Sequence, residues 1–415
     1  MELARDSSGA PAVRAKPAPK AARTWWKVHQ WVGLKLSLFL TFILFTGTLA
    51  VVSAEIDWLL QPSLRVSPAS VEGPVAWAAI ADNAMRHPGV AKANSIDAPT
   101  ASAFAARVTI EHEDGSLGLL HAHPTTGEIQ GEGPWVGAQR ILRNMHRHLN
   151  LPVKYGVPIV SSLAFLLLVT LATSFVVYKK WWRGFAKPLR QRDARTWWGD
   201  FHRLAGIWSL WFITLIAFSS LWYFVESLGG DAPPHPRVKL EAAAEPAPLP
   251  ASLANAFEVA LAARPALRVE RVILPSPDKP LLQLHGDYEA VLVRPRSNAV
   301  WVDARTAEVL LVTDGRDLNV HQRISEMADP LHFGYFGGYW TKVPWFLFGL
   351  AMTGLAISGA AIYSLRIGRD RAERLRVEKA FSGMWQGSGR WRWLSVLLIL
   401  TGLALLPALI LQTGG

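Results

Sequence analysis

The chain has 415 residues, no cysteine and a formal net charge of +11 at pH 7. Half of its residues are hydrophobic and 18% are charged, which excludes a disordered or strongly acidic chain. Because cysteine is absent, disulfides, iron–sulfur clusters, thiolate nucleophiles and covalent heme attachment are excluded. Any metal chemistry must therefore use the 12 histidines and the carboxylates.

Five stretches of the sequence contain no charged residue and are long enough to cross a hydrocarbon core of about 30 Å. Most of the 19 tryptophans lie near the ends of these stretches, as in the aromatic belts of membrane proteins. The pattern predicts an integral membrane protein with five transmembrane helices. The uncharged stretches are 36–54, 155–178, 204–225, 343–365 and 393–415.

The basic residues predict the orientation of these helices. Segments 1–30, 179–201 and 366–392 together hold 21 Lys and Arg but 7 acidic residues, whereas the long loops 55–154 and 226–342 together hold 20 basic and 25 acidic residues. By the positive-inside rule, the first group is cytoplasmic and the long loops are periplasmic, so the C-terminus is periplasmic. The positive charge is explained by this asymmetry and does not indicate nucleic-acid binding.

These boundaries divide the chain into ten predicted segments. Residues 1–22, rich in Ala, Pro, Lys and Arg, are predicted to form a disordered cytoplasmic tail. The transmembrane helices are predicted over 23–55, 146–180, 201–226, 332–365 and 392–415. Two periplasmic α+β domains are predicted over 56–145 and 227–331, and two cytoplasmic loops over 181–200 and 366–391.

The chain contains an internal repeat. The segment Arg-Thr-Trp-Trp occurs at 23–26 and again at 195–198, and each copy is followed by a histidine that has a glycine four residues later. Each long loop also contains a predicted strand pair, at 106–110 with 118–122 and at 290–294 with 299–303. The repeat predicts two copies of a unit of helix, α+β domain and helix, followed by a fifth helix.

A histidine precedes each of the four repeat helices, two on the predicted cytoplasmic side and two on the periplasmic side. They are His29, His202, His146 and His332. Imidazole is the usual axial ligand of heme iron, and two helices of the same direction can present two histidines to one plane. Gly33 and Gly206 follow the cytoplasmic pair by about one turn and would let a flat macrocycle approach the backbone.

Other interpretations of the histidines remain open. His148 lies beside His146, and His321 precedes His332, so each is a reserve candidate for the periplasmic site. Histidines at a membrane interface can also be amphipathic anchors without a cofactor. The loop histidines, including His121, are predicted to lie at the surface, although His121-Ala-His123 could hold a metal on one face of a strand.

Several segments give the chain a resemblance to a known family. They are Val28–Leu34, Phe45–Gly47, Glu55–Asp57 followed by Pro62, Met145–Arg147, Phe201–Gly206 and Leu331–Gly338. Over nearly the whole chain beyond residue 22 the sequence resembles the PepSY-associated transmembrane proteins, some of which are inner-membrane ferric-siderophore reductases. The resemblance implies b-type heme bound by helix histidines and electron delivery to a periplasmic ferric complex. Thr126-Gly127-Glu128 resembles the end of a PepSY repeat, and the corresponding segment of the second long loop departs from this pattern as Thr306-Ala307-Glu308.

Together these observations predict a five-helix membrane protein of the bacterial inner membrane with two periplasmic PepSY-like domains. It would hold two b-type hemes, take electrons from a cytoplasmic or quinol donor and reduce a ferric siderophore or other ferric chelate. Reduction to Fe(II) weakens hard-oxygen coordination and would free the iron for uptake. The alternatives are a non-enzymatic anchor whose PepSY domains bind or regulate a periplasmic protein, and a heme subunit of another oxidoreductase. The sequence shows no nucleotide-binding motif.

Overall fold

The computed structural model describes residues 20–238, 248–250, 252–367 and 377–411. The predicted tail lies outside these ranges up to residue 19, and so do nine residues of the predicted loop 366–391 and the last four residues of the predicted fifth helix. The described chain consists of two α-helical halves of the same plan, one shared β-sheet and a C-terminal helical segment.

The predicted first helix, over 23–55, is broken into three parts. They are α1 (Lys20–Lys35), α2 (Ser37–Val51) and α3 (Ser53–Leu60). Helices α1 and α2 meet at an angle of 66°. Helix α1 carries lysine, arginine and tryptophan, whereas α2 contains no charged residue, so the chain bends where the apolar run begins.

The other helices repeat one order in each half of the chain. The first half continues with α4 (Trp77–Met85), α5 (Ala138–His148), α6 (Val153–Ser161) and α7 (Leu163–Val177). The second half contains α8 (Ala194–Trp208), α9 (Leu210–Ser227), α10 (Ala254–Ala263), α11 (Val320–Phe333) and α12 (Tyr339–Ile367), and it is followed by α13 (Val377–Ser388), α14 (Trp391–Ala404) and α15 (Leu406–Leu411).

Four helical segments of the described chain are long and apolar enough to cross a membrane, and the bent α1–α2 pair makes a fifth if it is counted as one span. These lengths support a multi-pass membrane protein with four to five spans. Part of the predicted loop 366–391 forms the helix α13 instead. This helix packs against α12 and α2, and its residue Met384 is fully buried. The four spanning segments are Val153–Val177, Leu210–Ser227, Tyr339–Ile367 and Trp391–Ile410.

The helices predicted to begin at 146 and 332 have different boundaries in the structure. His146 lies on α5, which ends before Leu149 and Asn150, both with φ of 55°. A new helix, α6, follows Pro152 at its N-cap. His332 likewise lies near the end of α11, which ends at Gly334 with a φ of 71°, a left-handed conformation that glycine adopts without strain. Both histidines therefore precede their spans on separate short helices.

The strands of both loop regions form one antiparallel sheet of eight strands in the order β4-β3-β2-β1-β5-β6-β7-β8. The two predicted α+β domains are joined because β1 pairs with β5. The strand predicted over 290–294 is absent from the structure, where Leu292 has a φ of 55°, and β6 pairs with β7 instead. The strands are β1 (Val90–Asp97), β2 (Ala106–His112), β3 (Leu117–Ala122), β4 (Ile129–Gly133), β5 (Arg268–Ile273), β6 (Leu281–Asp287), β7 (Ala299–Asp303) and β8 (Glu308–Thr313).

The sheet packs against α4 and α10 and has a continuous apolar core. Ile80 and Phe257 of the helices are buried against Val108 and Leu284 of the strands. Burial of large apolar side chains at about 25 cal/mol per Å² is the main stabilising contribution of such a core. The prediction that the loop histidines lie at the surface is wrong for His121 and His123. His121 is completely buried beside Ser63, with a 2.8 Å hydrogen bond to its hydroxyl, and His123 is buried with Nε2 3.0 Å from the hydroxyl of Ser70.

Two polar contacts join α3 to other helices. Asp57 of α3 accepts hydrogen bonds from the backbone N–H groups of Ala138 and Gln139, at 2.6 and 3.0 Å, and so caps the N-terminus of α5. Glu55 forms a salt bridge of 2.6 Å with Lys342 of α12. The helix that carries His146 is therefore fixed to the first helical segment by a carboxylate at its N-terminus.

Candidate functional site

The inner pair consists of His29 on α1 and His202 on α8. Their ring centroids are 6.4 Å apart and their planes are almost perpendicular, at 86°. Nδ1 of His29 lies 2.9 Å from the hydroxyl of Thr173 on α7, and Nδ1 of His202 lies 2.8 Å from the hydroxyl of Ser358 on α12. Each half of the repeat thus supplies one imidazole, and a different membrane helix fixes each ring.

The hydroxyl groups favour one tautomer of both imidazoles. The hydroxyl of Thr173 lies 2.7 Å from the carbonyl of Val169, and that of Ser358 lies 3.0 Å from the carbonyl of Leu355. A hydroxyl that donates to its own helix can only accept from the imidazole, which would then donate from Nδ1–H. In that tautomer Nε2 keeps its lone pair and is able to bind a metal ion.

The inner pair lines a cavity of 540 Å³, which we call the inner cavity. Its wall is mostly apolar and includes Gly33 and Gly206, the two glycines that the sequence places one turn beyond the histidines. A Cβ atom added at Gly33 would meet no atom within 4 Å, so the glycine faces open space. The volume lies within the range of about 300–1,000 Å³ that cofactor and small-molecule sites occupy.

The outer pair consists of His146 on α5 and His332 on α11, with ring centroids 6.1 Å apart and planes tilted by 38°. Nδ1 of His146 donates to the backbone carbonyl of Ile43 at 2.9 Å. Nδ1 of His332 lies 2.9 Å from the hydroxyl of Ser219, which donates its own proton to Leu215 at 2.8 Å. The hydroxyl of Ser219 thus favours the Nδ1–H tautomer of His332, and the carbonyl of Ile43, which can only accept, favours it for His146.

A glycine of α2 makes room for the outer pair. A Cβ atom added at Gly47 would lie 2.5 Å from Cε1 and 2.7 Å from Nδ1 of His146, well inside van der Waals contact. No larger residue fits at this position without moving the imidazole or the helix. The sequence analysis included Gly47 only in a family-like segment and assigned it no role at the site.

The spacing of each pair would allow both imidazoles to bind one metal ion. A metal ion held at about 2 Å by each of two opposed imidazole nitrogens keeps those nitrogens about 4 Å apart. The ring centroids lie farther apart by the two ring radii, which agrees with the observed 6.4 and 6.1 Å. Within the described residues, no group of three or more His, Asp or Glu side chains could hold a metal ion.

Among the described residues, neither reserve histidine has another imidazole ring packed against its own. His321 places Nε2 3.1 Å from the carbonyl of Gly230, and its ring packs at 5.5 Å against Trp222. His148 is 8% exposed at the end of α5, and its buried Nδ1 has no hydrogen-bond partner in the described part of the chain. The structure brings His146, and not His148, beside His332.

The two pairs lie at different levels along α12. Ser358 contacts His202, whereas Trp345 donates a hydrogen bond of 2.8 Å to the carbonyl of Leu331, the neighbour of His332. Thirteen residues separate these two contacts on the helix, which corresponds to about 20 Å at 1.5 Å per residue. The repeat thus produces two imidazole pairs stacked along one membrane helix.

A buried carboxylate fixes α11 to the sheet region. Glu326 is 1% exposed and lies 2.9 Å from Nε2 of His235 and 2.8 Å from the guanidinium of Arg296. Burial by itself raises the pKa of Glu326, but the hydrogen bond from His235 and the charges of Arg294 and Arg296 prevail and lower its pKa to about 2. The charged carboxylate holds the helix on which His332 lies.

The sequence analysis missed the hydroxyl residues that orient the imidazoles. Thr173, Ser219 and Ser358 lie within apolar spans and are 1%, 8% and 0% exposed. A polar side chain that is buried inside a membrane span is itself a signal, because it must find a partner within the protein. Small hydroxyl residues are nonetheless common in spans, where they bond to their own helix, and this hid the signal.

The chain matches a known protein family. The family described as the PepSY-associated TM region matches residues 26–366, a range that contains all four histidines of the two pairs. No curated protein matches the chain.

Proposed function

The chain belongs to the PepSY-associated transmembrane family, and we propose that this multi-pass membrane protein binds two b-type hemes and passes electrons across the membrane to a ferric chelate. The observation that carries the proposal is the common state of four imidazoles. Each places Nδ1 within 2.9 Å of a hydroxyl or carbonyl oxygen on a membrane helix and has a second imidazole ring 6.1 to 6.4 Å away. Hydrogen bonds of this kind orient metal-binding histidines in proteins generally.

The proposed roles follow from the positions of the residues. His29 and His202 would hold one heme in the inner cavity, with Gly33 and Gly206 leaving space beside the ring. His146 and His332 would hold the other. Bound heme supplies one-electron redox chemistry between Fe(III) and Fe(II). The protein contributes ligand orientation and an apolar surrounding that excludes water.

The proposed direction of electron transfer is outward across the bacterial inner membrane. The support is the excess of basic residues in the N-terminal segment and in the loops 179–201 and 366–392, which the positive-inside rule assigns to the cytoplasm. The donor would be a cytoplasmic reductant or a quinol. A reporter that is active only in the periplasm, fused after Gly415, should be active, whereas the same reporter fused at Gly184 should be silent.

The proposed acceptor is a ferric siderophore or another ferric chelate at the outer pair. The turn between α11 and α12 supports this placement because it exposes Tyr335 and Phe336 beside Gly337, close to His332. Aromatic side chains at the surface offer a face for a flat organic chelator. Reduction to Fe(II) weakens hard-oxygen coordination, so the iron would leave the chelate after electron transfer.

A redox spectrum of the purified protein tests the proposal. The oxidised and dithionite-reduced protein should show the Soret and visible bands of bis-histidine heme, and extraction should give two hemes per chain. Stopped-flow mixing of the reduced protein with a ferric siderophore should reoxidise the heme band much faster than mixing with buffer. A protein without heme would favour a membrane anchor for a periplasmic protein, and heme without siderophore-dependent reoxidation would favour a subunit of another oxidoreductase.

A further inference from the structure

A second cavity opens beside the inner cavity and shares part of its wall. It has a volume of 1660 Å³ and is formed by the segment between α7 and α8, the first turns of α8 and the end of α12. We call it the basic cavity. Five residues line both cavities: Tyr178, Arg195, Gly199, Arg203 and Arg366.

The basic cavity has a large excess of positive charge. Six of the described residues that line it are basic and two are acidic. Both carboxylates are already engaged: Asp193 accepts hydrogen bonds of 2.9 and 2.7 Å from Thr196, and Asp200 accepts bonds of 2.9 and 3.1 Å from the guanidinium of Arg190. The basic residues are Lys187, Arg190, Arg192, Arg195, Arg203 and Arg366.

The six cations fall into two groups. Arg190 and Arg203 are structural, because both pair with Asp200 and Arg203 also donates to the carbonyl of Gly184 at 2.7 Å. Lys187, Arg192, Arg195 and Arg366 make no salt bridge with any residue that the structure describes, although the guanidinium of Arg366 lies 4.5 Å from the ring centroid of Trp26. Four exposed cations around one cavity create a field that attracts an anion.

The position of the basic cavity connects this anion site to the histidines. Gly199 lines both cavities, and a Cβ atom added there would meet no atom within 4 Å. His202 follows three residues later on the same helix, so the two residues lie on one face of α8 about one turn apart. An anionic ligand held by the arginines can therefore extend along α8 toward the inner pair.

We propose that the basic cavity binds the phosphate of a reduced flavin nucleotide, which is the electron donor to the inner pair. This inference rests on the proposed function and names its donor. Arginine and lysine are the usual partners of phosphate groups. A flavin can release electrons singly, as heme iron requires, whereas a nicotinamide transfers hydride. One dihydroflavin releases two electrons and two protons; the protons pass to water, and the electrons reduce two ferric ions in succession to ferrous ions.

Binding of flavin mononucleotide to the intact protein tests the site. The protein is placed in nanodiscs of zwitterionic lipid, and free flavin is measured by fluorescence after ultrafiltration. We expect one binding site for flavin mononucleotide and at least tenfold weaker binding of riboflavin, which lacks the phosphate. Arg195→Gln should weaken binding of the nucleotide about tenfold, since it removes a charge-assisted hydrogen bond. Equal binding of the two flavins, or an unchanged affinity in Arg195→Gln, would overturn the proposal.

Arg183→Gln is the matched control. Arg183 lies in the same segment between α7 and α8 and is exposed, but it lines neither cavity. The same loss of charge should therefore leave the flavin affinity unchanged. An equal weakening by both variants would mean that net charge alone attracts the nucleotide, and it would exclude a built phosphate site.

Two further experiments complete the test. One distinguishes a nucleotide phosphate from a lipid headgroup as the ligand, and the other distinguishes failure of this inference from failure of the proposed function. Discs that contain phosphatidylglycerol should leave flavin mononucleotide binding intact; its complete loss in the wild type would assign the cations to lipid headgroups instead. Binding uses the oxidised nucleotide and is measured independently of heme content. Heme-loaded protein that does not bind the nucleotide overturns this inference alone, whereas nucleotide binding by a protein that holds no heme supports the site and rejects the proposed function.

Discussion

The inner and outer histidine pairs have the same spacing but different surroundings. The inner imidazoles face a cavity of 540 Å³, stand at 86° to each other and are both fixed by hydroxyl groups. The outer imidazoles are tilted by 38°, and one of them is fixed by a backbone carbonyl and pressed against Gly47. The inner imidazoles thus border a cavity, whereas the outer pair is closely packed against a neighbouring helix.

The difference follows from the helices that carry the histidines. His29 and His202 lie on α1 and α8, which precede α2 and α9 directly with one intervening residue. His146 and His332 lie on α5 and α11, which return from the sheet and end before the spans begin. The inner histidines therefore lie on helices that lead directly into the spans, whereas the outer histidines lie on separate helices that connect the sheet region to the spans. Substitutions should separate the two sites accordingly.

The largest expected effect comes from removing an imidazole. If the proposed function holds, His29→Ala or His202→Ala should abolish heme binding at the inner site and leave one heme per chain at the outer site, because the inner site would lose one of its two imidazole ligands. His146→Ala or His332→Ala should abolish heme binding at the outer site and leave one heme per chain at the inner site. Heme content and the redox titration of the purified variants measure this. His148→Ala and His321→Ala should keep both hemes; loss of one heme in either would transfer the outer ligand to that residue.

Substitution of a glycine beside each pair tests whether the outer pair is more closely packed than the inner pair. Gly47→Ala should eliminate or strongly reduce heme at the outer site, since the new methyl group would lie 2.5 Å from Cε1 of His146. Gly359→Ala is the matched change at the inner pair, where the methyl group would lie 3.6 Å from Cε1 of His202, an ordinary contact. It should retain both hemes. Equal loss of heme in the two variants would show that the outer pair is no more tightly packed than the inner pair.

Removing a hydroxyl that orients an imidazole should have a smaller effect. Ser358→Ala frees Nδ1 of His202, and Ser219→Ala frees Nδ1 of His332. Loss of such a hydrogen bond typically weakens metal binding about 10–100-fold, so transfer of heme to apomyoglobin should accelerate at one site in each variant. Ser395→Ala provides the control, because Ser395 is completely buried and bonds only to its own helix. Heme should transfer from the Ser395→Ala variant to apomyoglobin at the wild-type rate.

The smallest expected effect concerns the attachment of α11 to the sheet. The pKa of Glu326 is lowered to about 2 in the folded protein from an ordinary value of 4.5, so its charge stabilises the fold above pH 4.5 and this contribution is lost as the pH falls toward 2. Glu326→Gln should therefore unfold at a lower temperature than the wild type at pH 7. The difference in melting temperature should shrink below pH 4.5, and a difference that does not depend on pH would exclude the carboxylate charge as its cause.

The sequence alone predicted the spans, the repeat and the identity of the paired histidines as candidates. Uncharged apolar runs report on membrane burial directly, because an unpaired charge in hydrocarbon costs several kcal/mol. The break near Gly334 was not predicted, and the residues of α13 were assigned to a loop. Helix ends depend on left-handed residues and capping contacts whose effects are too local for hydropathy to reveal.

The sequence by itself determined the set of elements that repeat along the chain. Only the tertiary structure decided which of these elements are in contact. Each half carries its own strands and histidines, so local patterns were sufficient to find them. The pairing of β1 with β5, the choice of His146 rather than His148 and the hydroxyl partner of each imidazole join residues of distant segments. Such contacts depend on how separate helices and strands pack, and no local pattern encodes them.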